Sequence, residues 1–261
     1  MSLLQDINKT PTENPENSID AAFARSAILF QGMRKVQSQV NEKNQEVPPQ
    51  ETKLNFTTNG ENFIPVVYGD AFVKGTVTDA RLVAADCVLW ACVTLCETTG
   101  DLLSTEDLTD PDNPTYTASE ITFADMLIEN QRVLFQDDGI TVAGLEDESG
   151  NVNTDVDGLI KIYLYNAGSE SPTVLEENDQ GATDNAYDVF PGWTSSHTMD
   201  QLVFALIRVE YDAVKNVTTL PDIQFKISNT MRKPGDCIWD YLHNTRYGAG
   251  LTNAEIWSDP E

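Results

Sequence analysis

The sequence is poor in histidine and lacks the common catalytic and cofactor-binding motifs. It contains two histidines, His197 and His243, which lie far apart along the chain. Neither an HExxH nor a GxSxG motif is present. The stretch around Gly248 and Gly250 lacks the third glycine of a dinucleotide-binding loop and follows no predicted strand. We therefore expect a protein that is not an enzyme and that holds no cofactor.

Basic side chains are scarce as well. The chain has 16 Lys and Arg residues against 42 Asp and Glu residues, so its formal net charge is -26. An acidic surface of this kind repels phosphate, which argues against specific nucleic-acid binding and against docking on anionic membranes. No apolar run is long enough to span a bilayer, and the first residues lack the basic and apolar parts of a signal peptide. We expect synthesis in the cytoplasm and no stable membrane insertion.

The four cysteines are not spaced as metal ligands. Cys87, Cys92 and Cys96 lie in one apolar stretch, and Cys237 stands alone near the end. They form no CxxC pair and no zinc-binding spacing. In an unbroken strand, Cys92 and Cys96 would share a face and Cys87 would point to the other face from Cys92. The pattern predicts buried, reduced thiols rather than a metal or iron–sulfur centre.

Residues 1–50 are predicted to form a polar arm and an amphipathic helix. Ser18 is a suitable N-cap for a helix over residues 19–39. The apolar residues recur near helical spacing, at Phe23, Ala27, Phe30 and Met33. The polar residues Arg25, Lys35 and Gln39 fall elsewhere on this helix. One amphipathic helix cannot bury its apolar stripe alone, so we expect it to dock on the main domain or on a neighbouring subunit.

Residues 51–261 are predicted to be mainly β, as linked β-barrel or sandwich domains, with two interlaced domains as one possibility. The apolar run over residues 82–95 is typical of a strand covered on both faces. Three later segments alternate apolar and polar residues, with apolar positions at Ile160, Ile162, Leu164, Val203, Ala205, Ile207, Val209, Tyr211, Ile223, Phe225 and Ile227. The acidic stretch from about residue 100 to 158 is predicted to be a surface insertion.

A short helix is predicted near the end of the chain. Asp236 is a suitable N-cap, and Ile238, Tyr241 and Leu242 form a short apolar stripe. The glycines at 248 and 250 then predict a turn. Together these features predict a mainly β fold with minor helix, namely one helix before the sheets and one after them.

Three ordered segments resemble a known family. The first contains Ile64, Pro65, Val66, Tyr68 and Gly69. The second contains Leu95, Cys96 and Glu97, and the third contains Pro234, Asp236, Asp240, Tyr247, Gly248 and Gly250. In this order they resemble the N-terminal part of the central tail tip proteins of long-tailed phages, where an (I/V)PVxYG strand, an LCEG strand end and a late helix–turn recur. The resemblance covers mainly residues 53–97 and 187–256.

The resemblance implies a structural function. It implies β-barrel hub domains similar to baseplate hub proteins, and a homotrimer that closes the tail tube in the virion and opens for DNA ejection. The implied partners are the distal tail protein, the tape measure protein and tip or fibre proteins, with DNA only in transit. Thr98 and Thr99 depart from the family pattern by separating Glu97 from Gly100. Family members also continue past the equivalent of Glu261, so we expect the hub portion alone, without receptor recognition.

Two alternatives stay open at this point. Asn153, Asp155, Asp157 and Gly158 match the first half of an EF-hand loop, which would suit a calcium-dependent adhesion module of the tail. The twelfth loop position is Leu164 instead of the bidentate glutamate, so a simple turn entering a strand also explains the segment. The many carboxylates leave a tail-associated cell-wall hydrolase as the third hypothesis.

Overall fold

Two antiparallel β-sheets packed face to face form the described part of the chain. The computed structural model describes residues 63–83, 87–103, 116–178 and 180–256. The polar arm and the helix predicted over residues 19–39 lie outside the described residues. The prediction of a mainly β fold with minor helix is confirmed. Within the described ranges the sheets form a sandwich, and neither closes into a barrel.

The first sheet has six strands in the order β1-β13-β6-β7-β8-β9. These are β1 (Asp70–Val73), β6 (Ile121–Ile128), β7 (Gln131–Phe135), β8 (Val142–Glu146), β9 (Val152–Asn153) and β13 (Ile223–Asn229). The second sheet has five strands in the order β11-β10-β12-β3-β2. These are β2 (Thr76–Val83), β3 (Val88–Glu97), β10 (Ile160–Tyr165), β11 (Pro172–Thr173) and β12 (Leu202–Glu210).

The remaining elements are short. Strands β4 (Asp101–Leu103) and β5 (Tyr116–Ala118) pair as a two-stranded ribbon. The helices are α1 (Ala186–Val189), α2 (Pro234–His243) and α3 (Asn253–Ile256). Helix α2 is the helix predicted after the sheets, and it begins two residues before Asp236, which therefore lies in its first turn instead of capping it. Pro234 at the first helical position explains the earlier start, because its fixed φ suits the first helical turn.

The alternating segments face one another across the sandwich. Ile160, Ile162 and Leu164 from β10 and four β12 residues pack against Ile223, Phe225 and Ile227 from β13 in the inter-sheet core. The β12 residues are Val203, Ala205, Ile207 and Val209. Burial of these apolar side chains is the main source of stability for the sandwich.

A second apolar cluster covers the outer face of the five-stranded sheet. Trp90 of β3, Tyr165 of β10 and Phe204 of β12 pack there with Phe190 and Trp193. The rings of Tyr165 and Phe204 are stacked, with their centroids 4.9 Å apart. Strands β3 and β12 are therefore buried on both faces, as their long apolar runs predict. The run over residues 82–95 is nevertheless divided, because β2 ends at Val83 and β3 begins at Val88.

Cys92 and Cys96 do not share a face, so that expectation is wrong. Cys96 packs in the inter-sheet core, whereas Cys92 packs in the outer cluster. The pairing of β12 with β3 moves from Val203 opposite Cys96 to Phe204 opposite Thr94, which leaves Leu95 as the extra residue of a bulge. The bulge reverses the alternation of side chains along β3. Burial raises the pKa of each of these two thiols to about 12, which keeps them protonated and unreactive.

The acidic stretch is not a surface insertion where the structure describes it, so that prediction is wrong for residues 116–158. This part forms strands β5 to β9, and its apolar side chains enter the inter-sheet core at Phe123, Met126, Ile128, Val133, Val142 and Leu145. The acidic side chains gather in the turns between strands. Asp138, for example, accepts hydrogen bonds from the backbone N–H groups of Ile140 and Thr141, at 2.9 and 2.7 Å. When the composition is averaged over the whole stretch, the acidic residues of these turns conceal the apolar alternation of the strands.

Two phenylalanines on paired strands should contribute very differently to the free energy of unfolding, because only one of them lies in the inter-sheet core. Phe225 of β13 is fully buried against Phe123, and Phe72 of β1 is 51% exposed. We expect Phe225→Ala to lower the free energy of unfolding by about 3–5 kcal/mol, since it leaves a cavity in the core. The control Phe72→Ala should lower it by less than about 1 kcal/mol. Urea denaturation followed by tryptophan fluorescence measures both, and equal losses would contradict the described core.

Candidate functional site: the Asp240 joint

The buried carboxylate of Asp240 connects three distant segments of the chain. Its Oδ2 accepts hydrogen bonds from the hydroxyls of Tyr68, at 2.7 Å, and Tyr247, at 2.6 Å. Its Oδ1 accepts a hydrogen bond from the backbone N–H of Gly100, at 2.9 Å. We call Tyr68, Gly100, Asp240 and Tyr247 the Asp240 joint. Asp240 is only 5% exposed, whereas the three residues that donate to it are partly exposed.

The donors of the joint compensate for burying a charge. A carboxylate taken out of water is costly unless hydrogen bonds replace its hydration, and bonds to a charged acceptor are stronger than neutral ones. Burial raises the pKa of Tyr68 and of Tyr247, and the hydrogen bond and negative charge of Asp240 raise it further. Both hydroxyls therefore stay protonated and keep donating to Asp240 at neutral pH.

Helix α2 is turned so that Asp240 points inward. In this orientation Ile238 and Tyr241, two residues of the predicted apolar stripe, are 60% and 52% exposed. The predicted apolar stripe would be buried if apolar contacts alone set the rotation of the helix. The hydrogen bonds of the Asp240 joint instead select the polar face of α2 for burial.

The segment with Pro65 and Val66 lies beside the end of β3. Val66 forms a parallel bridge with Glu97, and the Glu97 N–H donates to the Pro65 carbonyl at 2.9 Å. Further along, the Gly69 N–H donates to the Met231 carbonyl at 2.9 Å. Gly69 has a φ of 69°, a conformation that suits glycine. These backbone bonds hold Tyr68 at the correct distance from Asp240.

A partly buried ion pair lies next to the Asp240 joint. The carboxylate of Glu97 pairs with the guanidinium of Arg246, which also donates to the Gln201 carbonyl at 2.8 Å. Burial raises the pKa of Glu97, and the positive charge of Arg246 opposes that rise. The pair connects the end of β3 to the residue that precedes Tyr247.

The turn after α2 requires glycine at position 248. A Cβ added to Gly248 would lie 1.9 Å from the Tyr241 carbonyl oxygen and 2.8 Å from that of Asn244. The next residue, Ala249, donates its N–H to the same Tyr241 carbonyl at 2.9 Å. The chain therefore folds back tightly on the last turn of α2, and this return places Tyr247 against Asp240. Gly250 follows with a φ of 63°.

Asn229 is a residue of this region that the sequence reasoning missed. Its buried side-chain amide donates to the Val67 carbonyl at 2.7 Å and to the Thr99 hydroxyl at 3.0 Å. Its Oδ1 accepts from the Met231 N–H at 2.8 Å. The sequence does contain a signal, because Asn229 continues the buried alternation of β13 at the position where an apolar residue would be expected.

The structure thus brings together part of the predicted motif residues. Tyr68, Asp240 and Tyr247 meet directly, and Pro65, Val66, Gly69, Glu97 and Gly248 hold the surrounding backbone. Leu95 and Cys96 belong to the inter-sheet core instead. Pro234 and Asp236 lie in the first turn of α2 and make none of the contacts of the joint.

An open cavity of about 320 Å³, lined by both polar and apolar residues, lies beside the end of β3. Its polar lining residues are Thr98, Thr99, Ser119, Glu120, Asn166 and Gln201. Several of these groups bond to the protein itself, since Thr99 and Ser119 share a hydrogen bond of 2.6 Å and Asn166 donates to the Ile121 carbonyl at 3.2 Å. The polar part of the lining offers hydroxyl and amide groups with a single carboxylate, a set suited to hydrogen bonding.

The calcium candidate forms a turn between β9 and β10. The Oδ1 atom of Asn153 accepts from the Asp155 N–H at 2.9 Å, and Oδ1 of Asp157 accepts from the Gln136 side chain at 2.7 Å. Gly158, with a φ of 75°, donates its N–H to the Val142 carbonyl at 3.0 Å. Two of the candidate ligand side chains thus stabilise the turn that enters β10. Among the described residues, no three His, Cys, Asp or Glu side chains converge as a metal site.

The Glu97–Arg246 ion pair predicts that Glu97→Gln changes the free energy of unfolding by an amount that depends on pH. Folded Glu97 has a pKa above its ordinary value of 4.5, so the folded protein gains stability as the pH falls through that raised pKa. At pH 7 the wild type carries the full penalty for partly burying the ionised group, and the glutamine variant does not. We expect the variant to be the more stable protein at pH 7, and the difference to vanish below pH 4.5.

Urea denaturation at a series of pH values measures this difference in the free energy of unfolding. Glu148→Gln, at an exposed position, is the control for losing one negative charge. A clear loss of stability in Glu97→Gln at pH 7 would show that attraction to Arg246 outweighs the cost of burial, contrary to the expected sign.

In comparisons with known proteins, no family model and no curated protein matches this chain. None of the helices in the described ranges is long and apolar enough to cross a membrane. The geometry of the Asp240 joint is therefore the basis for assigning a function.

Proposed function

We propose that this chain is a structural subunit of a bacteriophage tail tip or baseplate hub. In this role it closes the tail tube, connects the tube to tip or fibre proteins, and opens for DNA ejection. The observation that carries the proposal is the Asp240 joint. Two of the segments that resemble central tail tip proteins are more than a hundred residues apart in sequence. Tyr68 of the first segment and Tyr247 of the third both donate to the carboxylate of Asp240.

The chemistry of the joint favours architecture over catalysis. Three donors surround the Asp240 carboxylate, and all of them are held at hydrogen-bonding distance by backbone on different segments. The raised pKa values of Tyr68 and Tyr247 oppose proton transfer from either hydroxyl near neutral pH. A group that is fixed and saturated in this way holds segments in place, as a subunit under mechanical load requires.

The charge of the chain is compatible with a conduit for DNA. Its net charge of -26 places many carboxylates on the surface. If such carboxylates line a tube, they repel phosphates over a Debye length of about 8–10 Å and prevent DNA from adhering during transit. The same acidity agrees with contacts to DNA that are transient.

The sandwich offers surfaces for assembly. Strand β1 lies at the edge of the six-stranded sheet, with one side paired to β13, and Phe72 on it is half exposed. An edge strand with an exposed apolar side chain is suited to subunit contacts. In the proposed assembly the chain forms a homotrimer and contacts the distal tail protein, the tape measure protein and tip or fibre proteins.

Labelled particles test the proposal. An epitope inserted at Val214, which is 90% exposed in the turn between Asp212 and Val217, leaves both sheets intact. We expect gold-labelled antibody at the distal end of the tail in electron micrographs, and no label on untagged particles. Native mass spectrometry of the purified chain should show three copies of the 28.9 kDa subunit. Absence of the chain from particles, or label on the head, would refute the proposal.

A further inference from the structure

Four strands from both sheets end or begin at the open cavity beside β3. Thr98 follows the end of β3, Asn166 follows the end of β10, and Gln201 precedes β12, all in the five-stranded sheet. Glu120 precedes β6 of the six-stranded sheet. Ile121, the first residue of β6, belongs to the inter-sheet core and also lines the cavity. The cavity therefore lies between the two sheets, at the end of the sandwich where these strands meet.

Hydrogen bonds hold the backbone around the cavity. The Gln201 carbonyl accepts from the Thr98 N–H at 2.9 Å and from the Arg246 guanidinium at 2.8 Å. The Glu120 N–H donates to the Thr230 hydroxyl at 2.9 Å, and the Thr230 N–H donates to the Glu120 carbonyl at 3.0 Å. The walls of the cavity are thus fixed from both sheets, which is what a binding site requires of its framework.

Three side chains of the lining keep polar groups available to a ligand. Within the described part of the chain, the Glu120 carboxylate and the Gln201 side-chain amide form no hydrogen bond with the protein. The Asn166 side chain donates to the Ile121 carbonyl at 3.2 Å, and this leaves its Oδ1 atom as an acceptor.

The backbone of Gln201 gives a second indication of function. Its φ is 61°, in the left-handed region that glycine adopts far more readily than glutamine. Glutamine at this position therefore costs conformational energy, and such residues cluster where a binding site needs a particular side chain. The strain and the unpaired amide of Gln201 point to the same conclusion, namely that its side chain acts on a ligand in the cavity.

We propose that this cavity binds a neutral saccharide through one pyranose ring. None of the described residues that line it is basic, so the lining does not favour an anionic ligand. A carboxylate accepts hydrogen bonds from two neighbouring hydroxyls, and an amide both donates and accepts. The volume of about 320 Å³ corresponds to about ten water molecules at ~30 Å³ each, which is enough for a pyranose ring with its hydroxyls.

The spread of the polar groups favours a saccharide over a simple cation. An alkylammonium ion would interact mainly with the Glu120 carboxylate. Asn166 and Gln201 lie on other segments of the lining, so a ligand that uses all three side chains needs hydroxyls on several sides of a ring. None of the described lining residues is aromatic, so no ring stacks on the sugar and we expect modest affinity. The inference does not depend on the proposed place in a phage tail.

Saturation-transfer NMR with the full chain tests the proposal. The probes are the methyl pyranosides of glucose, galactose, mannose and N-acetylglucosamine, and n-butylammonium chloride represents a simple cation. We expect at least one of the pyranosides to bind with a Kd on the order of 1 mM.

Two substitutions locate the binding in the cavity. Glu120→Ala removes the carboxylate, and we expect it to raise the Kd roughly tenfold. Gln201→Gly removes the amide and suits the observed φ, so it should raise the Kd to a similar extent while the melting temperature stays equal or rises. The matched controls are Glu148→Ala, at an exposed acid, and Asn216→Gly, at a φ of 61° in the turn between β12 and β13. Both should leave the Kd within about twofold.

Three results would overturn the proposal. They are the absence of binding by every pyranoside at about 20 mM, far above the expected Kd, binding of n-butylammonium alone, and pyranoside binding that neither cavity substitution weakens. Since labelled particles test the place of the chain in a phage tail, each of these results leaves that proposal standing.

Discussion

The buried carboxylate of Asp240 is the constraint on which the end of the sandwich depends. A charge at 5% exposure persists only where hydrogen bonds replace its hydration. The three donors come from residues 68, 100 and 247, so satisfying one carboxylate fixes the path of the chain before β1, after β3 and after α2. The rotation of α2, the tight return at Gly248 and the exposure of Ile238 all follow from this requirement.

The sandwich provides the rigid frame for the joint. Strands β3 and β12 are buried on both faces, and β3 ends at Glu97, where the Val66 bridge and the Arg246 ion pair meet. Strand β13 ends at Asn229, whose amide reaches the carbonyl of Val67. The joint is thus attached to the ends of two strands from different sheets. Movement of one sheet against the other would disturb its hydrogen bonds, and this coupling is compatible with the proposed role in closing a tail tube.

The sequence predicts the strands that follow a simple physical rule. The observed core follows directly from two sequence patterns, the alternation at Ile160, Ile223 and Phe225 and the apolar run of β3. Alternation predicts the core because side chains that are buried together must share a face of the strand. Prediction from alternation fails where several short strands alternate with acidic turns, as over residues 116–158, because the average composition resembles that of a loop. It also fails at the bulge in β3, since one extra residue reverses every face assignment beyond it.

The joint itself could be predicted only in part. The ordered motifs single out Tyr68, Asp240 and Tyr247, but sequence spacing does not reveal that their side chains meet across more than a hundred residues. The apolar residues of α2 predict burial of the wrong face, because a pattern of apolar positions contains no information about a saturated carboxylate. Asn229 shows the opposite case, since a polar residue at a buried position of an alternating strand indicates a hydrogen-bonding role from the sequence alone.

A double-mutant cycle between Tyr68→Phe and Asp240→Asn tests most directly whether the joint holds these segments together. The free energies of unfolding of the wild type, the two single variants and the double variant give the coupling between the two side chains. The account predicts a coupling of about 1–3 kcal/mol for this pair, and additive effects when Tyr68→Phe is replaced by Tyr163→Phe in the five-stranded sheet. Additive effects for Tyr68 and Asp240 would contradict it.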